Sequence, residues 1–212
     1  MKVRRSSAMA GLYAMLAFAA GGAWATVQPR ASNIVELVGQ SDLILQGTVA
    51  KLSDGIDERG IPYTEVTLHV ADAIRGQVGS DYTFRQFGLL KPRKLGTGLT
   101  NITVTPAGWA TYRKGEETIL FLYKQARWTG LQTTVGLGQG QFKVSLAGAK
   151  NFVDNAGLFE HMQVDDHLLS DSDRRVMNTG KGAVNAKAFV ALVRKMVADR
   201  WIEQGGMRSE PR

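Results

Sequence analysis

Three histidines and several carboxylate clusters are the residues best suited to chemistry. His161 and His167 flank Asp165-Asp166, and a His/carboxylate set is the donor chemistry that holds zinc. A metal-dependent hydrolase would draw on His161, Asp165 and His167. Their spacing argues against it. The histidines are six residues apart in a stretch expected to be loop, not at the i,i+4 spacing that puts two ligands on one helix face. A solvated acidic loop is the stronger reading. His69 falls on the polar side of a strand. Asp171-Ser172-Asp173 and Asp54-Gly55-Ile56-Asp57-Glu58 offer the hard oxygens that calcium prefers, yet neither completes an EF-hand loop. No metal ligand, catalytic residue or cofactor is assigned.

Nucleophile motifs are missing: there is no G-x-S-x-G elbow and no S-x-x-K set. Gly136, Gly138 and Gly140 superficially resemble a phosphate-binding glycine loop. They lack the third glycine at the right spacing, the following helix and a lysine, so a strand-to-strand turn is expected. Trp109 and Tyr112 follow a Gly-rich stretch and lie beside Arg113 and Lys114. Aromatics next to cations on a barrel rim could stack a sugar or peptide ring. The competing expectation is a Trp packed into the barrel end. Lys91, Arg93 and Lys94 form a small basic cluster that reads as a solvated turn.

The elements that would position these residues are mostly strands. Asn33 to Val38 predicts a short helix, with Asn33 and Glu36 in capping-box register. Leu43 to Leu52 reads as a strand, Ser53 to Pro62 as a hairpin loop, and Tyr63 to Val70 as an alternating strand that runs on to a turn at Arg75-Gly76. Tyr82 to Phe87, Leu99 to Thr105, Thr118 to Tyr123, Leu131 to Val135 and Gln141 to Leu146 are further strand candidates. The continuous apolar run at 118–123 predicts a central strand covered on both faces. Residues 147–184 predict an irregular acidic linker. Asn185 to Gln204 carries apolar residues at helical spacing, with Asn185 as N-cap and Gly205-Gly206 as the stop. Residues 206–212 predict a disordered tail. The fold expectation is a mainly β domain over 26–146: a small antiparallel barrel or sandwich of five to seven strands, flanked by a short N-terminal helix and a C-terminal amphipathic helix at 185–205.

The N-terminus sets the compartment. Lys2, Arg4 and Arg5 precede an apolar run from Ala8 to Ala20, and Ala23-Trp24-Ala25 is a small-x-small site. That order marks a signal peptide over residues 1–25, with cleavage between Ala25 and Thr26. The run is shorter than the roughly 20 residues a membrane-crossing helix needs, so no anchor is expected after cleavage. The chain has no cysteine. An exported protein without disulfides must be held by packing alone. The formal charge of +7 falls to +4 once the three basic residues of the leader are removed, leaving 23 Lys and Arg against 19 Asp and Glu. With that small excess scattered along the chain, nucleic acid is not an expected partner.

The stretch from Ser32 to Val144 resembles a recurrent bacterial exported domain. The matching segments are Ser41 to Val49 (S-D-L-I-x-x-G-T-V), Tyr63 to Gly76, Gly115 to Leu122 and Val135 to Val144. The arrangement is also similar to the OB-like barrel of netrin-type and metalloproteinase-inhibitor modules. Those modules usually rely on disulfides and an N-terminal Cys, which this chain lacks. The resemblance implies fold and export, and no site residue carries over from it. Gly47, Gly76, Gly115 and Gly140 read as turns, bulges or close strand approaches.

Together these observations predict an exported, non-catalytic module, periplasmic or extracellular, binding an unknown protein or small ligand of the cell envelope. The alternatives are the metal-dependent hydrolase and an inhibitor or accessory of an exported protease.

Overall fold

The structure, a computed structural model, describes residues 30–94, 98, 100, 101, 103–151 and 154–211. The leader and the Ala25–Thr26 pair lie outside the described residues. Among the described residues no helix is long and apolar enough to cross a membrane.

Helix α1 (Ile34–Gln40) begins at the expected capping box. The Asn33 side chain accepts from Glu36 N, and Glu36 reaches back to the Asn33 amide. Its Ile34, Val35, Leu37 and Val38 are buried. Strands β1 (Leu43–Ile56) and β2 (Pro62–Arg75) form one long hairpin. The loop is shorter than the polar stretch 53–62 predicts, because Asp57 Oδ1 accepts from the amides of Arg59 and Ile61 (3.0 and 2.7 Å) and pins a tight turn. Strand β3 (Asp81–Phe87) pairs with β2. Two short strands, β4 (Arg93–Lys94) and β5 (Thr100–Asn101), make a separate ribbon. They are followed by β6 (Glu117–Leu122), β7 (Gln141–Ser145) and β8 (Gly148–Lys150). The main sheet is six-stranded and antiparallel, in the order β3-β2-β1-β6-β7-β8. The protein is therefore mainly β, as expected.

Leu131 to Val135 does not become a ladder strand. It bridges two edges instead. Gln132 N donates to Arg85 O (2.7 Å), Tyr123 N to Thr133 O (3.0 Å) and Val135 N to Phe121 O (2.8 Å). These single bridges connect β3 back to β6 and complete a hydrogen-bonded circuit through β1 and β2. Inside it lie Leu43, Leu45, Val49, Val66, Leu68, Phe84, Leu120 and Leu122, with Ala110 and Tyr112.

A second core covers the other side of the sheet. There Ile44, Ile119, Phe121 and Phe142 meet α1, α2 (Asp171–Met177) and α3 (Ala186–Ala198). Strand β6 thus sends Leu120 and Leu122 into one core and Ile119 and Phe121 into the other. That period-two division is why its sequence is continuously apolar.

Three expectations for the C-terminal part fail. Residues 147–184 are not a linker: they supply β8, β9 (Met162–Val164) and α2, and bury Leu158, Val176 and Val184 in the second core. The final helix ends at Ala198 rather than near Gly205. Arg200 takes the left-handed conformation (φ 52°), and Trp201 N donates to Met196 O (3.1 Å). This is a Schellman-type stop with arginine where glycine is usual, so the sequence carried no stop signal. The tail is ordered too. Strand β10 (Met207–Ser209) pairs with β9, and Met207 is fully buried.

Candidate functional site

Residues 104–112 lie against the end of β3, and the two rim candidates sit on this segment. The structure separates them. Trp109 is half-buried, its ring 6.3 Å from that of Phe87. With Tyr123, Lys124, Ala126 and Leu131 it lines a surface pocket of about 220 Å³. Phe87 ends β3 and Tyr123 follows β6; the ring pair formed here is Phe87–Trp109, while the Tyr123 hydroxyl donates to Gln40 Oε1 (3.0 Å) at the end of α1. The polar groups here are Lys124, Gln132 and Thr133, and the Thr133 hydroxyl is buried without a partner. A pair of aromatic rings in a concave pocket with polar groups in its lining can stack a flat ring and offer it a hydrogen bond.

Tyr112 does not reach the rim. It is only 7% exposed, belongs to the inner core, and packs edge-on against Phe84 at 5.7 Å. Burial pushes its phenol pKa up, and the nearby Glu116 carboxylate adds to the shift. A three-residue spacing in an irregular segment has no fixed facing, which is why both aromatics read alike from the sequence. Arg113 and Lys114 are exposed beyond it. The cation–ring pairs that do form are elsewhere: Arg59 over Trp128 (5.6 Å) and Arg85 over Tyr63 (4.3 Å). The sequence reading missed Phe87, Tyr123 and Lys124. The available signal was that an aromatic residue ends or follows each of two strands.

The His161, Asp165 and His167 set is not assembled. Asp165 and His167 line a cavity of about 180 Å³ with Trp201 and Gly206, and His161 is not among its walls. His161 instead occupies a left-handed turn (φ 50°), where its carbonyl accepts from Asn33 Nδ2 (3.0 Å) and Glu210 N (2.8 Å). Among the described residues, no group of three or more His, Asp or Glu side chains could hold a metal ion.

The other carboxylate clusters are engaged within the chain. Asp54 accepts from Leu90 N (2.8 Å) and pairs with Arg93 of the small basic cluster. His69 pairs with Asp81 on the exposed face. Gly136 to Gly140 form a tight turn whose Gln139 side chain holds Ser32 N (2.5 Å) and Arg30 O (2.9 Å). It is a single 3-10 turn (Leu137–Gly140) that holds Arg30 and Ser32, and it runs into β7 rather than into an α-helix that could receive a phosphate.

Asp173 is nearly fully buried. It caps α2 through Ser170 and takes the Lys195 ammonium at 2.6 Å. Burial raises its pKa, but Lys195 and the Ser170 bonds more than offset this and leave it below the ordinary aspartate value. The group therefore stabilises the fold above the unfolded carboxyl's pKa, and that contribution fades as pH falls through the lowered folded value. Asp173→Asn is expected to cost about 1–3 kcal/mol at neutral pH, since Lys195 loses its buried partner. The difference from wild type should shrink in acid, as measured by urea unfolding over a pH series.

The sequence matches no protein-family model, and no curated protein is significantly similar to it.

Proposed function

We propose that the chain is an exported, non-catalytic binding module that captures a ring-bearing ligand or partner of the cell envelope in the Phe87–Trp109–Tyr123 pocket. The supporting observation is the Phe87–Trp109 ring pair in a concave pocket also lined by Tyr123 and Lys124, where the two bridged sheet edges meet. Binding sites of this kind are typically largely apolar, with few placed polar groups. Export rests on the charged, apolar and small-residue order of the first 25 residues. A non-catalytic role fits the separation of His161 from Asp165 and His167, and the use of Asp54, Asp57 and Asp173 in an ion pair, a turn and a cap.

The experiment is a calorimetric titration of the purified protein with envelope oligosaccharides and with peptides carrying aromatic or proline residues. One of these classes should bind. Trp109→Ala should then weaken binding by about tenfold or more, from loss of ring stacking, while circular dichroism stays that of wild type. Unchanged affinity in Trp109→Ala, or no binding by either class, refutes the proposal. Mass spectrometry of the exported chain should find Thr26 at its N-terminus.

A further inference from the structure

On β2 and β3 the side chains that point away from the inner core come in cross-strand pairs, Tyr63 with Phe87 and Glu65 with Arg85. Arg85 and Phe87 are two positions apart on one strand, so their side chains leave the same face about 7 Å from each other. Phe87 lines the ring-stacking pocket. Tyr63 and Arg85 line a second pocket of about 460 Å³ by the loop of the β1–β2 hairpin, with Asp57, Glu58, Arg59 and Thr129. A turn closed by Ala126 N donating to Leu131 O (2.8 Å) stands between the two. Ala126 and Leu131 wall the first pocket, and Thr129 walls the second. The pockets are neighbours on one face of the molecule.

The second pocket carries both signs of charge. Arg85 lies over the Tyr63 ring (4.3 Å) and donates through Nε to Glu65 Oε2 (2.8 Å), which fixes the plane of its guanidinium. Its two terminal nitrogens and the Glu58 carboxylate make no hydrogen bond or ion pair among the described residues. Arg59 lies over the Trp128 ring (5.6 Å) and donates to the Trp128 carbonyl. Asp57 uses only Oδ1 in the hairpin turn. Trp128 itself is 77% exposed, an unusual position for so large a ring. An ionic group of either sign would meet a like charge in this pocket: a carboxylate would face Asp57 and Glu58, an ammonium Arg59 and Arg85. Hydroxyl groups suit both kinds of wall, because each donates one hydrogen bond and accepts others. The open Trp128 ring adds a flat apolar surface beside them.

We infer that the ring-bearing ligand is a neutral oligosaccharide. One sugar stacks in the Phe87–Trp109 pocket, and a later sugar of the same chain is held by Asp57, Glu58, Arg59 and Arg85 beside Trp128. The inference rests on the ring-stacking reading and adds to it a ligand class and a second subsite. A peptide can place a ring in the first pocket, but the second offers its apolar side chains only one aliphatic wall, Ile56, and its charged ones a like charge.

The probes are the dimer and the tetramer of N-acetylglucosamine, titrated calorimetrically into the purified protein. The tetramer should bind about tenfold more tightly than the dimer or better, because it engages both pockets at once. Trp128→Ala and Arg59→Ala change exposed side chains and should melt at the wild-type temperature. Each should weaken the tetramer by about tenfold and leave the dimer within about twofold, whereas Trp109→Ala should weaken both. If Trp109→Ala weakens the tetramer while Trp128→Ala and Arg59→Ala do not, the second subsite is overturned and the ring-stacking pocket stands. Binding of aromatic or proline peptides with no binding of either oligomer also overturns this inference alone. A tetramer indifferent to Trp109→Ala, or no binding by any of these probes, removes the pocket and the inference together.

Discussion

Phe189→Ala is expected to cost about 4 kcal/mol of folding stability, the usual range for deleting a fully buried ring. Phe189 has no exposed surface, and its ring lies 4.8 Å from Phe142 and 6.3 Å from Phe121. These three rings are the aromatic part of the contact between α3 and the sheet, which the helix also meets at β2 and β8. The cavity left behind has no obvious way to collapse, since Phe121 and Phe142 sit on paired neighbouring strands. A domain of this size has only about 5–15 kcal/mol in total, so the loss takes a large share of it. Urea unfolding should show a lower midpoint, and hydrogen exchange should show α3 opening first. Phe189→Leu, which keeps most of the volume, should recover more than half the loss. A cost below about 1 kcal/mol would mean that α3 is not part of this core.

Gly47→Ala is expected to cost about 3 kcal/mol. Gly47 is in the middle of β1, paired on one side with β2 and on the other with β6. A methyl group there would overlap the His69 carbonyl oxygen and sit 3.2 Å from its carbon. Both obstacles are backbone of the neighbouring strand, and the ladder on either side prevents that strand from yielding. The β1–β2 register also shifts between Gln46 and Gly47, so the close approach belongs to a bulge. Gly79→Ala serves as the control. Its nearest neighbour would be 3.8 Å away, so stability should stay within about 0.5 kcal/mol of wild type. Equal effects at the two positions would remove the close-approach explanation.

Residues whose structure is set locally were legible in the sequence. The Asn33–Glu36 box gave the first helix, and the alternation of Thr64, Val66 and Leu68 gave the buried face of β2. The run 118–123 announced a strand buried on both faces, observed over Glu117–Leu122. What failed was set by distant partners or by an unusual residue. Arg200 ends α3 in a conformation normally signalled by glycine. Strand β10 exists only because β9, more than 40 residues earlier, offers an edge. Residues 131–135 have a strand-like sequence but meet each neighbouring strand at single bridges. The site was half legible. Trp109 was identified, but its partners come from β3 and the end of β6. Tyr112 was placed on the wrong side of the segment.

The cap of the first helix has a consequence for when the molecule can be completed. The Asn33 side chain is hydrogen-bonded to Ser209 and to the carbonyls of Glu160 and His161, and β10 contacts α1. A polypeptide that emerges N-terminus first has this helix waiting for residues made 176 positions later. Until then that helix lacks its lid, and the early strands have only part of their outer cover. The cover over the first helix is thus set late, only after β9 and β10 have been made and paired.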